Sequence, residues 1–168
     1  MSNNFEVKTK KTLFLNGERL TEYIWDNIEF YDNLEIIILT NDEGQFSVYS
    51  KLGGDLLYET DNHISHEIKE DYIIIKIMYI DLPLYGIISF TGKVIVPPSF
   101  TDIKETEHEN VFQIEISKLV KGYYMAKNGQ LILGTTQVNK ANDVEYEFLI
   151  DNRWRRYSFI DGVYMCIN

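Results

Sequence analysis

The hydrophobic pattern of the chain is a succession of short apolar runs, each closed by a glycine-bearing turn or a polar stretch. Runs of this length, rich in Ile, Val, Leu, Phe and Tyr, predict β-strands rather than helices. Turn-type glycines recur as Asn16-Gly17, Gly53-Gly54, Thr91-Gly92, Asn128-Gly129 and Asp161-Gly162. Their intervals are 37, 38, 37 and 33 residues, the mark of an internal repeat. Asn-Gly and Asp-Gly favour a type I′ hairpin, because both central residues must adopt positive φ.

A strand therefore precedes each turn: Thr12 to Leu15, Phe46 to Ser50, Tyr85 to Phe90, Tyr123 to Ala126 and Tyr157 to Ile160. A second follows it: Arg19 to Trp25, Asp55 to Glu59, Lys93 to Val96, Gln130 to Leu133 and Val163 to Ile167. After a polar connection comes a third, at Leu34 to Thr40, Tyr72 to Ile80, Val111 to Ser117 and Val144 to Ile150. The expected fold is all-β, a single domain over residues 1–168 built from about five three-stranded hairpin repeats. Phe5 to Lys10 resembles a third strand, and the last unit lacks one, so the first segment is expected to complete the last unit and close a propeller-like ring. An open β-repeat stack is the alternative.

The segment Tyr85 to Glu105 combines Tyr85-Gly86, the hairpin Gly92, the apolar Val94 to Val96, Pro97-Pro98, Phe100 and Ile103. In this order the residues resemble the bacterial tryptophan-glycine (WG) repeat, with Tyr85 in place of the Trp. Lys121-Gly122-Tyr123 with Asn128-Gly129 keeps part of the pattern. The resemblance implies a divergent repeat protein that serves as an interaction module and has no catalytic residues to carry over. The prolines, lacking N–H groups, are expected to end strand pairing.

Composition sharpens the partner more than the fold. Hydrophobic residues make up 45% of the 168 and aromatics 14%, enough to bury a core. The formal net charge is -10, most of it in residues 1–84, which hold 16 acids and 7 bases. That sign disfavours nucleic acid and anionic membranes as partners and favours a basic protein. Cys166 is the single cysteine, so there is no disulfide framework or CxxC metal site, and a cytoplasmic location is expected. The first twenty residues hold no apolar stretch of signal-peptide length.

Candidate chemistry is sparse. His63 and His66 in the HISHE stretch are the metal-ligand candidates, but i,i+3 spacing needs a helical turn to converge and the stretch reads as a solvated loop. No GxSxG, Walker or dinucleotide motif occurs, no cofactor is implied, and no enzyme is expected. Binding candidates are two acidic sets in comparable places of the repeat: Asp26, Glu29, Asp32 and Glu35, and Glu105, Glu107 and Glu109 with Asp102 and Glu115. Trp154, inside Arg153-Trp154-Arg155-Arg156, is a candidate interface anchor, or alternatively core.

These readings converge on a non-catalytic, cytoplasmic, bacterial protein-interaction domain, in one concrete version an acidic inhibitor or immunity protein for a basic toxin or nuclease. The alternative is a small-ligand or glycan-binding module that uses its aromatic side chains for stacking.

Overall fold

The computed structural model describes residues 4–8, 12–22 and 24–167, and in them every regular element except one 3-10 turn is a β-strand. The strands are β1 (Phe5–Lys8), β2 (Thr12–Leu15), β3 (Glu18–Arg19), β4 (Asn27–Tyr31), β5 (Ile36–Thr40), β6 (Phe46–Ser50) and β7 (Leu56–Thr60). They continue as β8 (His63–Ile68), β9 (Tyr72–Tyr79), β10 (Leu82–Ser89), β11 (Val94–Phe100), β12 (Asp102–Glu105) and β13 (Val111–Ser117). The last six are β14 (Val120–Met125), β15 (Gln130–Leu133), β16 (Thr135–Lys140), β17 (Glu145–Ile150), β18 (Arg153–Ile160) and β19 (Val163–Cys166). Strands next to each other in sequence pair, giving five sheets: β1-β2-β3, β4-β5-β6-β7, β8-β9-β10-β11, β12-β13-β14-β15 and β16-β17-β18-β19. Among the described residues no helix is long and apolar enough to cross a membrane.

The all-β class and the glycine-marked hairpins are as expected, but the unit is four-stranded and its boundary is shifted. The strands expected to end one unit, such as Leu34 to Thr40, observed as Ile36–Thr40, pair with the first strand of the next hairpin, Phe46–Ser50, in the register Ile36↔Ser50 to Thr40↔Phe46. The connections expected to be loops carry the fourth strands β4, β8, β12 and β16. Likewise, Phe5–Lys8 pairs with Thr12–Leu15, while the fifth sheet has four strands of its own. The first segment therefore does not complete the last unit; Thr9 and Lys10 of that expected strand lie outside the described residues.

Two further expectations change. Pro97 and Pro98 do not end pairing: β11 runs through both. It is the edge strand of its sheet, where at most one of two consecutive prolines faces the neighbouring strand and the other points away from it. The strand expected over Arg19 to Trp25 shrinks to Glu18–Arg19, after which the Arg19 guanidinium donates to the Thr21 carbonyl at 2.6 Å; Tyr23 lies outside the described residues.

By internal contacts the chain forms two compact units, one of Met1–Pro83 with Ile87–Ile95 and one of Leu84–Gly86 with Val96–Asn168. In the first, β5 is buried on both faces, which is why IIIL is a continuous apolar run rather than an alternation. Ile36 and Ile38 join Phe46, Val48, Ile73, Ile75 and Ile88 in one core cluster. Ile37 and Leu39, on the opposite face, join Leu13, Trp25 and Tyr49 in another. The second unit packs Val111, Tyr123, Met125 and Ile132 against Tyr146, Phe148 and Tyr164. Each such side chain contributes about 1.5–3 kcal/mol on burial.

Candidate functional site

A concave region of the first unit lies at the end of the second sheet where β4 and β6 begin and β5 and β7 finish. The turn between β5 and β6, Asn41-Asp42-Glu43-Gly44-Gln45, is polar and folds on itself. The Asn41 side-chain oxygen accepts the Gln45 N–H at 2.9 Å, and the Asn41 amide donates to Gln45 Oε1 at 2.6 Å. Gly44 has φ +83, which favours glycine, and a Cβ there would stand a tight 3.2 Å from the Asn62 Cα. The loop is tied on two sides: the Asp42 N–H donates to Asp26 Oδ2 at 2.7 Å, and the His63 N–H donates to the Gly44 carbonyl at 2.7 Å.

Two pockets open here. One, of about 410 Å³, is lined by Trp25, Gln45, Phe46, Ser47, Glu59, Thr60 and Asp61. The other, of about 440 Å³, runs past Asp26, Asn27, Asn41, Asp42 and His63. Four carboxylates line them and, among the described lining residues, no lysine or arginine does.

His63 and His66 are not in a loop. They sit in β8, where the register skips from His63↔Ile77 to Ser65↔Lys76. This bulge at Ile64 offsets the strand's alternation by one residue, so that two positions three apart face the same side. Their ring nitrogens, His63 Nε2 and His66 Nδ1, are 3.2 Å apart and hydrogen-bonded. Both rings lie against Phe46, at centroid distances of 4.7 and 5.2 Å. Burial, followed by the neighbouring His66, holds His63 down at about 4, and burial also lowers His66 against the opposing pull of Glu29. Among the described residues no three side chains of metal-ligating type gather around a common point.

The acidic candidates separate by environment. Asp26 stands on the pocket rim. Glu29 accepts from the Asn27 amide and from the Tyr31 hydroxyl, which burial and this carboxylate push up to about 12. Asp32 pairs with Lys51, and Glu35 occupies a left-handed position with φ 55 at the end of the 3-10 turn. In the second unit Glu115 pairs with Lys121 at 2.8 Å and Asp102 with Lys104 at 3.4 Å. There Glu107 reaches His108 at 3.7 Å, Glu109 accepts from Asn110, and Glu105 is an exposed residue of β12. Trp154 is 45% exposed on β18, whereas Trp25 is the core tryptophan. Arg156, two residues on, holds Glu147 with two guanidinium nitrogens at 2.8 and 3.1 Å.

Asp42, Glu59 and Asp61, which share the pockets with Asp26, escaped the sequence reading. For Asp42 the signal was the hairpin tip Asn41-Asp42-Glu43-Gly44 between two apolar strands, a turn as legible as those at the repeating glycines; Glu59 and Asp61 carried none.

No protein-family model and no curated protein matches the chain. Among solved structures it is similar to the N-terminal domain of Nup159, with 8% identity, 86% of this chain and 43% of that one covered, and a TM-score of 0.36. It is also similar to the WD40 beta propeller domain of Doa1, with 13% identity, 98% and 64% covered, TM-score 0.37. A third is BamB from Moraxella catarrhalis, with 6% identity, 98% and 60% covered, TM-score 0.35. The chain thus spans less than two thirds of each of these, and at such scores the likeness assigns it no activity.

Proposed function

We propose that this chain is a non-catalytic β-repeat domain of the divergent WG type that binds a basic protein at the end of its second sheet. The observation that carries this reading is the pair of pockets lined by Asp26, Asp42, Glu59 and Asp61 without a lysine or arginine among the described lining residues. A cationic side chain from another protein is the complement to the pocket acids, and the net charge of -10 steers such a partner at long range.

The Asx-type clamp of Asn41 on Gln45 and the double tether of the loop hold the rim in one shape, which lowers the ordering cost of association. His63 and His66 bond each other rather than a serine or cysteine nucleophile, in keeping with binding rather than chemistry. Glycan stacking is less well served at this site, because Trp25 and Phe46 are fully buried and offer no open ring face. Inhibition of a basic toxin or nuclease in a bacterial cytoplasm is the specific form of this proposal, and the lone Cys166 suits a reducing compartment.

The test is co-purification from native extract at low and high salt, comparing the wild type with a D42K/D61K variant whose circular dichroism is unchanged. A stoichiometric basic protein held by the wild type, weakened by salt and lost by the variant, is the expected result. Equal retention by both proteins would move the binding site elsewhere, and failure of the folded wild type to retain any protein would overturn the reading.

A further inference from the structure

We infer that His63 and His66 form a proton-operated latch on the pocket loop, holding it in the binding arrangement while both rings are neutral and releasing it on acidification. The inference rests on reading the end of the second sheet as the binding site, and names its regulation.

The geometry has three parts. First, the bulge at Ile64 brings two imidazoles together on one face of β8, with their nitrogens at 3.2 Å. Such a contact needs one N–H donor and one lone pair, so a doubly charged pair cannot make it. Second, both rings pack on Phe46, which is fully buried and opens β6 directly after the loop residue Gln45. Burial against an apolar ring disfavours an imidazolium, which is why both groups are displaced downward. Third, the same residue that carries one ring also ties the loop: the His63 N–H donates to the Gly44 carbonyl. Because β8 is the edge strand next to β9 and, among the described strands, pairs with no other, its first residues can lift without breaking a second ladder.

The charged and titratable groups around the pair are few. From β4 comes Glu29, which favours a proton on His66 and is itself bonded to Tyr31. From β7 comes Tyr58, which makes an edge contact with Phe46 at 6.3 Å. Opposite on β9 are Ile77 for His63 and Ile75 for His66, with Lys76 opposite Ser65. On β8 itself Glu67 pairs with Lys69, and the pocket beside His63 holds Asp26 and Asp42. Glu29 makes the first proton easier to add to His66, and the charge then faces His63, so the pair titrates as a unit rather than as two independent sites.

The sign follows from linkage. A histidine whose folded value lies below its unfolded 6.5 binds fewer protons when folded, so its stabilisation is complete above 6.5 and is lost as pH falls toward about 4.

The test is an NMR titration of the full chain from pH 8 to 4, following the imidazole carbon-bound protons and the amides of Asn41, Gly44 and His63. The two imidazoles are expected to titrate in two coupled steps below their ordinary value, with the loop amides moving in the same pH range. Independent titration near 6.5, or loop amides that stay still while the rings titrate, would overturn the latch. As a second measurement, the melting temperature of the wild type should fall between pH 7 and pH 5. A H63F/H66L variant, which keeps neutral packing on Phe46, should lose most of that fall; an unchanged slope would count against the latch. None of these readouts needs a partner, so a latch that fails leaves salt-dependent capture standing, and failed capture leaves the titration readable.

Discussion

The side chain of Gln130 grips the backbone of Tyr164 on both sides, its Nε2 donating to the Tyr164 carbonyl at 2.8 Å and its Oε1 accepting the Tyr164 N–H at 2.7 Å. One amide thus mimics a strand neighbour and joins β15 of the fourth sheet to β19 of the fifth. Asn128 adds a third bond, donating to the Gly162 carbonyl at 3.1 Å. Gln130→Ala removes two bonds and leaves both backbone groups of a residue with a buried side chain to find water, so the expected loss is about 2 kcal/mol. Gln130→Glu is expected to do worse, since it sets a carboxylate oxygen against the Tyr164 carbonyl. Urea denaturation of the two variants checks this, and an alanine variant as stable as the wild type would remove the grip from the account of sheet docking.

Gly92 and Gly162 both close hairpins with positive φ, at +81 and +86, but only one is crowded. A Cβ on Gly92 would lie 1.9 Å from the Leu57 carbonyl oxygen on β7, whereas a Cβ on Gly162 meets nothing within 4 Å. Gly162→Ala is therefore expected to cost only the left-handed penalty of about 1–2 kcal/mol. Gly92→Ala must also displace backbone, and is expected to exceed that cost clearly or to prevent folding. Equal losses in thermal denaturation would mean that the close approach of Gly92 to β7 does not persist in solution.

The hairpin between β9 and β10 turns through Ile80 and Asp81 with φ of 44 and 61, the type I′ signature, although isoleucine is among the residues least suited to that region. Ile80 is 79% exposed and gains little from burial in return. Ile80→Asn is expected to raise stability by about 1 kcal/mol, because asparagine tolerates the left-handed region. A melting temperature that rises would confirm stored backbone strain, and one that falls would show that the side chain packs on something.

What the sequence revealed depends on where each strand lies in its sheet. Central strands such as Ile36–Thr40 and Phe46–Ser50 are buried and bounded by polar turns, so their apolar runs read directly. The missed strands β4, β8, β12 and β16 are all edges, with mixed burial such as that of Thr135–Lys140, where one residue is buried and four are exposed. An edge strand such as β16 leaves side chains exposed on both faces, which erases the alternation that identifies a strand. The turns at Ile80-Asp81 and Asp151-Asn152 adopt positive φ without glycine, so counting glycines missed these hairpins and moved the unit boundary. At the candidate site, Asp26 was legible from its acidic neighbourhood. Its convergence with Asp42, Glu59 and Asp61 was not, because it comes from the meeting of four strand ends. The contact of His63 with His66 rests on a one-residue bulge that no spacing rule anticipates.

The two tryptophans give an optical test of which is core and which is surface. Trp25 is 1% exposed, and its indole N–H donates to the buried Thr21 hydroxyl at 3.0 Å. It packs in a cluster with Leu13, Ile37 and Leu39, so Trp25→Ala is expected to cost about 3–5 kcal/mol. Trp154 is 45% exposed on β18 between Arg153 and Arg155, both exposed, and truncating it should change stability by less than about 1 kcal/mol. In a W154F variant the remaining emission comes from Trp25 and should lie at short wavelength and resist iodide. In a W25F variant the emission of Trp154 should lie at long wavelength and be quenched strongly, since the flanking guanidinium groups concentrate the anion around the ring. If iodide quenched both variants alike, the core cluster around Trp25 would be open to solvent, and the pocket that Trp25 lines would lack the rigid floor on which the proposed binding depends.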